Sequence, residues 1–293
     1  MQFKGAYTAL VTPFKNGLFD EDAYRELIDW QIEEGINGLV PCGTTGESAT
    51  LSHDEHKRVI EVCVEQSKGR VPVLAGAGSN NTAEAVMLTR YAKEAGADGA
   101  LLITPYYNKP TPDGLVAHFK AIAHEVSIPM IVYNVPGRTS LNVAPETMAR
   151  LYNEIEDVKG CKEASADLKQ VSEVYEYCGP DFQLLSGDDF TVLPLLSVGG
   201  CGVISVVSNI TPNKMSGMCQ AFLKGEIDRA RKLHLDMMPY ARAMFLETNP
   251  IPAKTSLSLM GKMQLELRLP LVEMQPENRQ KLEALLKHGG FIS

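Results

Sequence analysis

The sequence has no long apolar run and few aromatic residues. Aromatic side chains make up 7% of its 293 residues, and it contains one tryptophan. A membrane-spanning helix needs about 20 consecutive, mostly apolar residues, and no segment here reaches that length. Residues 1–5 lack the basic-then-apolar pattern of a signal peptide. We therefore expect a cytoplasmic protein that has no membrane partner.

Positive charge is scarce and is not clustered. The chain has 28 Lys and Arg residues against 36 Asp and Glu residues, which gives a formal net charge of −8. Nucleic acids and anionic membranes are bound through clustered Lys and Arg side chains, so we expect no nucleic-acid partner. A local basic pocket for a small anionic substrate remains compatible with this charge.

The cysteines and histidines show none of the spacings that are typical of metal sites or disulfide frameworks. The six cysteines are scattered and none forms a C-x-x-C pair. In a reducing compartment this pattern predicts buried free thiols. His53 and His56 lie three residues apart without an H-E-x-x-H pattern, so we predict no metal site.

Short apolar runs alternate with longer amphipathic segments through the first two thirds of the chain. The runs predict strands over residues 6–14, 38–43, 73–78, 99–107, 129–136, 158–165, 183–188 and 202–210. Most are continuously apolar, which is typical of parallel strands that are buried on both faces. Helical periodicity predicts helices over residues 21–34, 52–68, 82–95, 114–126, 145–153 and 168–177. The second helix begins with a capping box, Ser52 and Glu55.

Eight such βα units predict a closed (β/α)8 TIM barrel of the α/β class. An open doubly wound sheet is the alternative, although no dinucleotide-binding motif follows the first strand. After residue 211 only helical patterns remain, over residues 214–223, 226–245, 252–260 and 277–287. We predict a catalytic barrel over residues 1–224 and a helical appendage over residues 225–293.

Lys162 is the most informative candidate for chemistry, because it lies near the carboxyl end of the sixth predicted strand. Reactive side chains of a TIM barrel lie at this end. Burial lowers the pKa of a lysine and leaves a free amine that can attack a carbonyl carbon. Alternatively Lys162 extends to solvent or pairs with Glu163 or Asp188, and strand position does not decide between these possibilities. Lys159 lies nearer the start of the strand and is predicted to be structural.

Polar side chains also follow other strands at this end of the barrel. Tyr133 either relays protons or is a core tyrosine with a satisfied hydroxyl. Thr44 and Thr45, between two glycines, either bind a carboxylate or form an ordinary turn. Arg138 either binds a second carboxylate or is solvated.

Together these segments closely resemble the dihydrodipicolinate synthase family, also called 4-hydroxy-tetrahydrodipicolinate synthases. The resemblance extends over essentially the whole chain. It rests on five motifs in the same order: Gly43-Thr44-Thr45-Gly46-Glu47-Ser48-Ala49-Thr50, Thr104-Pro105-Tyr106-Tyr107-Asn108, Tyr133-Asn134-Val135-Pro136-Gly137-Arg138-Thr139, Lys162-Glu163-Ala164-Ser165 and Leu185-Ser186-Gly187-Asp188-Asp189.

The resemblance implies a lyase of the diaminopimelate route to L-lysine. Lys162 would form a Schiff base with pyruvate, and the derived enamine would attack L-aspartate 4-semialdehyde before cyclisation releases the product. No metal or organic cofactor is implied, since the iminium is the electron sink. The family is usually a homotetramer built as a dimer of dimers.

The resemblance also implies a role for each candidate residue. The catalytic residues would be Lys162, Tyr133, Thr44 and Tyr107, with Tyr107 reaching into the neighbouring subunit's site. The substrate-binding residues would be Thr45, Arg138 for the semialdehyde carboxylate, Gly187 and the backbone at Ile204. Feedback inhibition by L-lysine would occur at a subunit interface formed by Ser48, Ala49, His53, His56, Asn80, Glu84 and Tyr106. Alternatively this last set only lines a subunit contact.

Two other functions are compatible with parts of the pattern. Sister aldolases, such as N-acetylneuraminate lyase and keto-deoxy sugar acid aldolases, share the fold, the lysine and the tyrosine. They typically have Gly-Ser-Thr-Gly-Glu at residues 43–47 and usually lack a counterpart of Arg138. A catalytically silent metabolite-binding barrel is expected to lose Lys162 or a relay hydroxyl, and this chain retains them.

Overall fold

The computed structural model describes residues 2–293. It contains eight barrel strands: β1 (Gly5–Ala9), β2 (Gly38–Val40), β3 (Leu74–Gly76), β4 (Gly99–Ile103), β5 (Met130–Asn134), β6 (Val158–Glu163), β7 (Gln183–Ser186) and β8 (Gly202–Ser205). All neighbouring strands pair in parallel, and β1 pairs with both β2 and β8. A parallel bridge between Leu39 and Val73 joins β2 to β3 and closes the barrel. The predicted (β/α)8 barrel is confirmed, and the open sheet is wrong.

Several strands end earlier than the apolar runs predict. The predicted strand over residues 99–107 ends at Ile103, and Pro105 follows without a backbone N–H to donate. Tyr106 and Tyr107 therefore lie in the loop after β4 rather than on the strand. β1 likewise ends at Ala9, short of the predicted limit at residue 14.

Eight helices surround the barrel: Glu21–Glu33, His53–Ser67, Thr82–Glu94, Pro112–Glu125, Pro145–Glu154, Leu168–Cys178, Val192–Ser197 and Pro212–Leu223. The bounds of the first six lie within two residues of the predicted ones. The capping box is confirmed, since Ser52 Oγ accepts from Glu55 N and the Glu55 carboxylate accepts from Ser52 N. The helix Val192–Ser197 was not predicted, because six residues are too few to show a helical period.

Short elements complete the barrel. A two-stranded hairpin pairs Phe14–Lys15 with Leu18–Phe19, and a single helical turn spans Pro136–Thr139. 3-10 turns span Ser48–Thr50 and Val207–Asn209. These turns follow β2 and β8, so they shape the carboxyl end of the barrel.

Three further helices follow the barrel: Ile227–Ala243, Ile251–Leu259 and Pro276–His288. They agree with the helices predicted over this part of the chain. Met237, Leu257 and Leu282 are buried in the same apolar cluster as Leu39 and Ile60 of the barrel. We propose that residues 225–293 are an appendage that shares the barrel's core rather than forming one of its own.

The cysteines agree with the prediction of buried free thiols, with one exception. All six cysteines are free; five are buried, and Cys201 is the exception, being half-buried. No helix within residues 2–293 is long and apolar enough to cross a membrane.

Candidate active site

Lys162 lies near the carboxyl end of β6 with its side chain inside the barrel. It is 6% exposed, so the possibility that it extends to solvent is contradicted. Tyr133 on β5 is its direct partner in the sheet register, which places both side chains on the inner face. The Lys162 Nζ lies 4.1 Å from the centroid of the Tyr133 ring.

Burial lowers the pKa of Lys162 to about 7. The nearby Asp189 carboxylate raises this pKa, and the Arg138 guanidinium lowers it. A lysine with its ordinary pKa of 10.5 is almost entirely protonated at neutral pH. A substantial fraction of Lys162 is instead the free amine, which is the form that attacks a carbonyl carbon.

The two carboxylates that the sequence offers as partners of Lys162 have other partners. Glu163 accepts hydrogen bonds from Asn134 Nδ2, Gln170 Nε2 and Ser165 N. Asp188 Oδ1 accepts from the backbone N–H of Phe190. Neither carboxylate forms an ion pair with Lys162, although Asp188 lines the same cavity.

Tyr133 supplies a buried hydroxyl next to this amine. Burial raises its pKa to about 12, although Arg138 and a hydrogen bond with Thr44 both act to lower that pKa. The phenol is therefore protonated at neutral pH, and Thr44 lines the same cavity beside it. Neighbouring hydroxyls of this kind can pass a proton between a substrate and the cavity mouth.

The loop after β2 is held from the C-terminal region. Thr45 is buried, and its Oγ1 accepts a hydrogen bond of 3.0 Å from Asn249 Nδ2. The Asn249 backbone oxygen accepts from Arg138 Nη2 at 3.4 Å. Asn249 therefore joins two candidate binding residues, and sequence reasoning missed it because it lies about 200 residues from Thr45 without any local motif.

Gly187 packs directly against the Lys162 side chain. A Cβ at this position would lie 2.6 Å from Ala164 Cβ and 3.1 Å from both Lys162 Cγ and Cε. A side chain at this position would therefore clash with Ala164 and crowd Lys162. Ile204 lies within β8 with its side chain fully buried, and Val206 just beyond it faces the cavity.

These groups converge on one cavity of about 250 Å³. Its lining includes six predicted site residues, Lys162, Tyr133, Thr44, Thr45, Arg138 and Gly187, and three that were not predicted, Phe190, Phe245 and Asn249. Tyr107 does not line it. Tyr107 is 90% exposed and has a φ of +71°, so a single chain does not bring it to Lys162.

A second cavity of about 590 Å³ adjoins the first and shares Thr44, Tyr133 and Arg138 with it. Its lining includes most of the candidate lysine-site residues, namely Ser48, Ala49, His53, His56, Glu84 and Tyr106. Asn80 lies at its edge, where Nδ2 donates to the Tyr106 backbone oxygen at 3.2 Å.

Glu84 is the anionic group of the second cavity. Hydrogen bonds from Ser79 Oγ and His53 Nε2 lower the pKa of this carboxyl and keep it ionised. Burial lowers the pKa of His56, whose Nε2 hydrogen-bonds to the Gly76 backbone oxygen at 2.8 Å. The cavity therefore presents a carboxylate next to a neutral imidazole. Across residues 2–293 there is no group of three or more His, Cys, Asp or Glu residues that is suited to a metal ion.

The sequence model of the Dihydrodipicolinate synthetase family matches residues 2–289. The chain belongs to this family. A 4-hydroxy-tetrahydrodipicolinate synthase from Oleidesulfovibrio alaskensis is 69% identical over 292 residues, covering 100% of both chains. A synthase from Thermodesulfovibrio yellowstonii is 54% identical over 99% of both chains.

Solved structures of the family share the fold closely. The dihydrodipicolinate synthase of Aquifex aeolicus is 45% identical with a TM-score of 0.97, covering 99% of both chains. A pyruvate complex of the chloride-inhibited enzyme from Acinetobacter baumannii is 41% identical, and a lysine-bound structure from Cyanidioschyzon merolae is 39% identical. Both have a TM-score of 0.96 and cover 99% of both chains.

Proposed function

We propose that the chain catalyses the 4-hydroxy-tetrahydrodipicolinate synthase reaction, in which pyruvate condenses with L-aspartate 4-semialdehyde. The observation that carries this proposal is the buried Lys162 amine, whose pKa is about 7, in a small cavity at the carboxyl end of the barrel. Relatives that match the whole chain bear this enzyme's name.

The reaction begins with addition of the Lys162 amine to the carbonyl carbon of pyruvate, and loss of water gives a Schiff base. Loss of a methyl proton gives an enamine, whose carbon attacks the aldehyde carbon of the second substrate. The amine of that substrate then displaces Lys162 from the former carbonyl carbon, which closes the ring and frees the enzyme. The iminium accepts the electron pair, so this scheme uses no metal or organic cofactor.

Proton transfer in this scheme runs through Tyr133 and Thr44, with Tyr107 completing the relay from a neighbouring subunit. The position of Tyr133 and Thr44 in the lining of the Lys162 cavity supports the first two roles. The exposure of Tyr107 supports a role in another subunit, since its phenol has little contact within its own chain. We infer a homotetramer built as a dimer of dimers, which sedimentation velocity tests directly.

Substrate binding in this scheme uses two anion-binding regions. Thr45, Gly187 and the backbone at Ile204 hold the pyruvate moiety, and Arg138 binds the carboxylate of the semialdehyde. The guanidinium of Arg138 lines the same cavity as Lys162, which supports this assignment.

The deciding experiment is the initial rate with pyruvate and L-aspartate 4-semialdehyde, coupled to an NADPH-dependent reductase that consumes the product. We expect a rate that depends on both substrates. If pyruvate can be fixed to Lys162 by borohydride but no product forms with the semialdehyde, the chain is a sister aldolase with another aldehyde partner.

Gly187→Ala is expected to lower the rate about 10- to 100-fold, because the new methyl group clashes with Ala164 and crowds the Lys162 side chain, which shifts the amine. The rate of borohydride fixation of pyruvate should fall with the coupled rate. The control is Gly217→Ala, where a Cβ meets only Leu233 Cδ1 at 3.6 Å. If the rate of Gly187→Ala matches that of the control, the lysine position is not critical.

L-Lysine is expected to bind in the second cavity and to inhibit the enzyme, with its ammonium group on Glu84. Glu84→Ala should weaken lysine binding at least about tenfold, measured by isothermal titration calorimetry. Glu94→Ala is the matched control, because Glu94 ends the same helix but does not line the cavity. Absence of lysine binding in the unaltered protein would overturn this regulatory proposal alone.

A further inference from the structure

A buried ion pair ties the loop after β2 to the C-terminal helices. Lys254 Nζ lies 2.5 Å from Glu47 Oε1, and the two side chains are 0% and 1% exposed. The other carboxylate oxygen, Glu47 Oε2, accepts from Arg268 N at 3.2 Å. Because a buried charge is strongly unfavourable without a partner, this pair fixes Glu47 against the helix Ile251–Leu259.

Aromatic and cationic groups surround the pair. The Lys254 Nζ and the Arg268 Cζ lie 4.2 Å and 4.1 Å from the centroid of the Phe14 ring. The Arg268 guanidinium also donates to the Thr50 backbone oxygen at 3.1 Å and to the Glu55 carboxylate. The segment from Glu47 to Glu55 is therefore attached to the C-terminal region at several points.

Glu47 has a φ of +52°, in the left-handed region that non-glycine residues rarely occupy. Such a conformation is unfavourable for a residue with a side chain and persists only where the surroundings impose it. Backbone hydrogen bonds within the loop, from Glu47 N to Thr44 O and from Thr50 N to Glu47 O, hold this turn locally. The ion pair with Lys254 and the hydrogen bond from Arg268 N then fix the Glu47 side chain to a distant part of the chain.

This backbone position matters because Thr44 and Thr45 directly precede Gly46 and Glu47. Residues 249–254 hold the loop at two points, since Asn249 Nδ2 donates to Thr45 Oγ1 and Lys254 binds Glu47. Neither Glu47 nor Lys254 lines the cavity that contains Lys162. Glu47 lines the adjoining second cavity, and the two threonines connect it along the chain to the cavity that contains Lys162.

We propose that Lys254 and Glu47 are positioning residues, which hold residues 43–50 so that Thr44 and Thr45 meet pyruvate at Lys162. The inference rests on the proposed function and extends it to a pair outside the substrate cavity. A loop that is released from Lys254 would still contain both hydroxyls but would no longer present them in one place. Pyruvate affinity should then fall, while the lysine chemistry at saturation is retained.

The test uses Lys254→Met and Glu47→Gln in the full chain, with borohydride fixation of pyruvate followed by mass spectrometry. We expect the half-saturating pyruvate concentration to rise at least about tenfold in each variant, with a smaller change in the maximal rate of fixation. The double variant removes both charges and leaves no unpaired buried ion, so it should fold even if a single variant does not. The half-saturating pyruvate concentration of the double variant should resemble that of each single variant, because the two residues act as a unit.

Leu282→Ala is the control for a purely structural effect. Leu282 is fully buried in the helix Pro276–His288, so this change should lower Tm without altering half-saturation by pyruvate. If the folded charge variants lower Tm but keep the half-saturation of the unaltered protein, the positioning role is overturned.

The proposed function fails in a different way from the positioning role. If the protein fixes pyruvate but forms no product with the semialdehyde, the proposed reaction is overturned. The role of Lys254 and Glu47 can still be tested in that case, because it is measured by pyruvate fixation alone. An unaltered protein that fixes no pyruvate overturns both.

Discussion

Lys162→Ala is expected to abolish product formation, by at least about 10³-fold, together with borohydride fixation of pyruvate. Both losses share one cause, because the covalent intermediate needs the Lys162 amine and the remaining cavity offers no substitute at the same point. The coupled assay measures the rate, and intact-protein mass spectrometry measures the fixed pyruvate.

Lys159→Ala is the matched control, since Lys159 lies on the same strand three residues earlier. Its Nζ donates to the Glu156 backbone oxygen at 2.7 Å, near the start of β6 and away from the cavity. This variant should fix pyruvate as the unaltered protein does. Fixation that persists in Lys162→Ala would mean that another lysine is the nucleophile.

The pH dependence of fixation tests the environment of Lys162 separately. Because burial lowers its pKa to about 7, the rate of fixation should level off above that pH. Below it, the free-amine fraction falls about tenfold per pH unit, and the rate should fall with it. A rate that continues to rise toward pH 10 would indicate a lysine with an ordinary pKa.

The barrel could be predicted from the sequence because its strands are short, apolar and regularly spaced. The burial of Lys162 could not, since it depends on how the neighbouring carboxylates are satisfied. Glu163 is held by Asn134 from β5 and by Gln170 from the following helix. Strand alternation already places Glu163 on the face opposite Lys162, but the partners that satisfy its carboxylate come from packing between elements.

The contribution of the C-terminal region to the site could not be predicted either, because it depends on contacts between distant parts of the chain. Asn249 and Lys254 lie more than 200 residues from Thr45 and Glu47, and neither belongs to a recognisable motif. Asn249 lies between two predicted helices and Lys254 lies within one, and these helices predict only an appendage. Tyr107 is the reverse case. Its role is implied by the family motif in the sequence, whereas the structure of a single chain leaves its phenol exposed.

Tyr133→Phe is expected to lower the coupled rate about 10²- to 10⁴-fold, the usual contribution of a positioned proton-transfer group. The ring remains, so its packing against Lys162 should be preserved and stability should change little. The Tyr133 hydroxyl is lost, so the steps that move protons slow down. Pyruvate should still become fixed to Lys162, although more slowly.

Tyr24→Phe is the matched control for this loss of a hydroxyl. The Tyr24 hydroxyl is buried without a hydrogen-bond partner, on the helix Glu21–Glu33 and outside both cavities. Its removal should therefore leave the rate unchanged. If Tyr133→Phe remains within about twofold of this control, Tyr133 is a core tyrosine, and the proton relay must run through other groups.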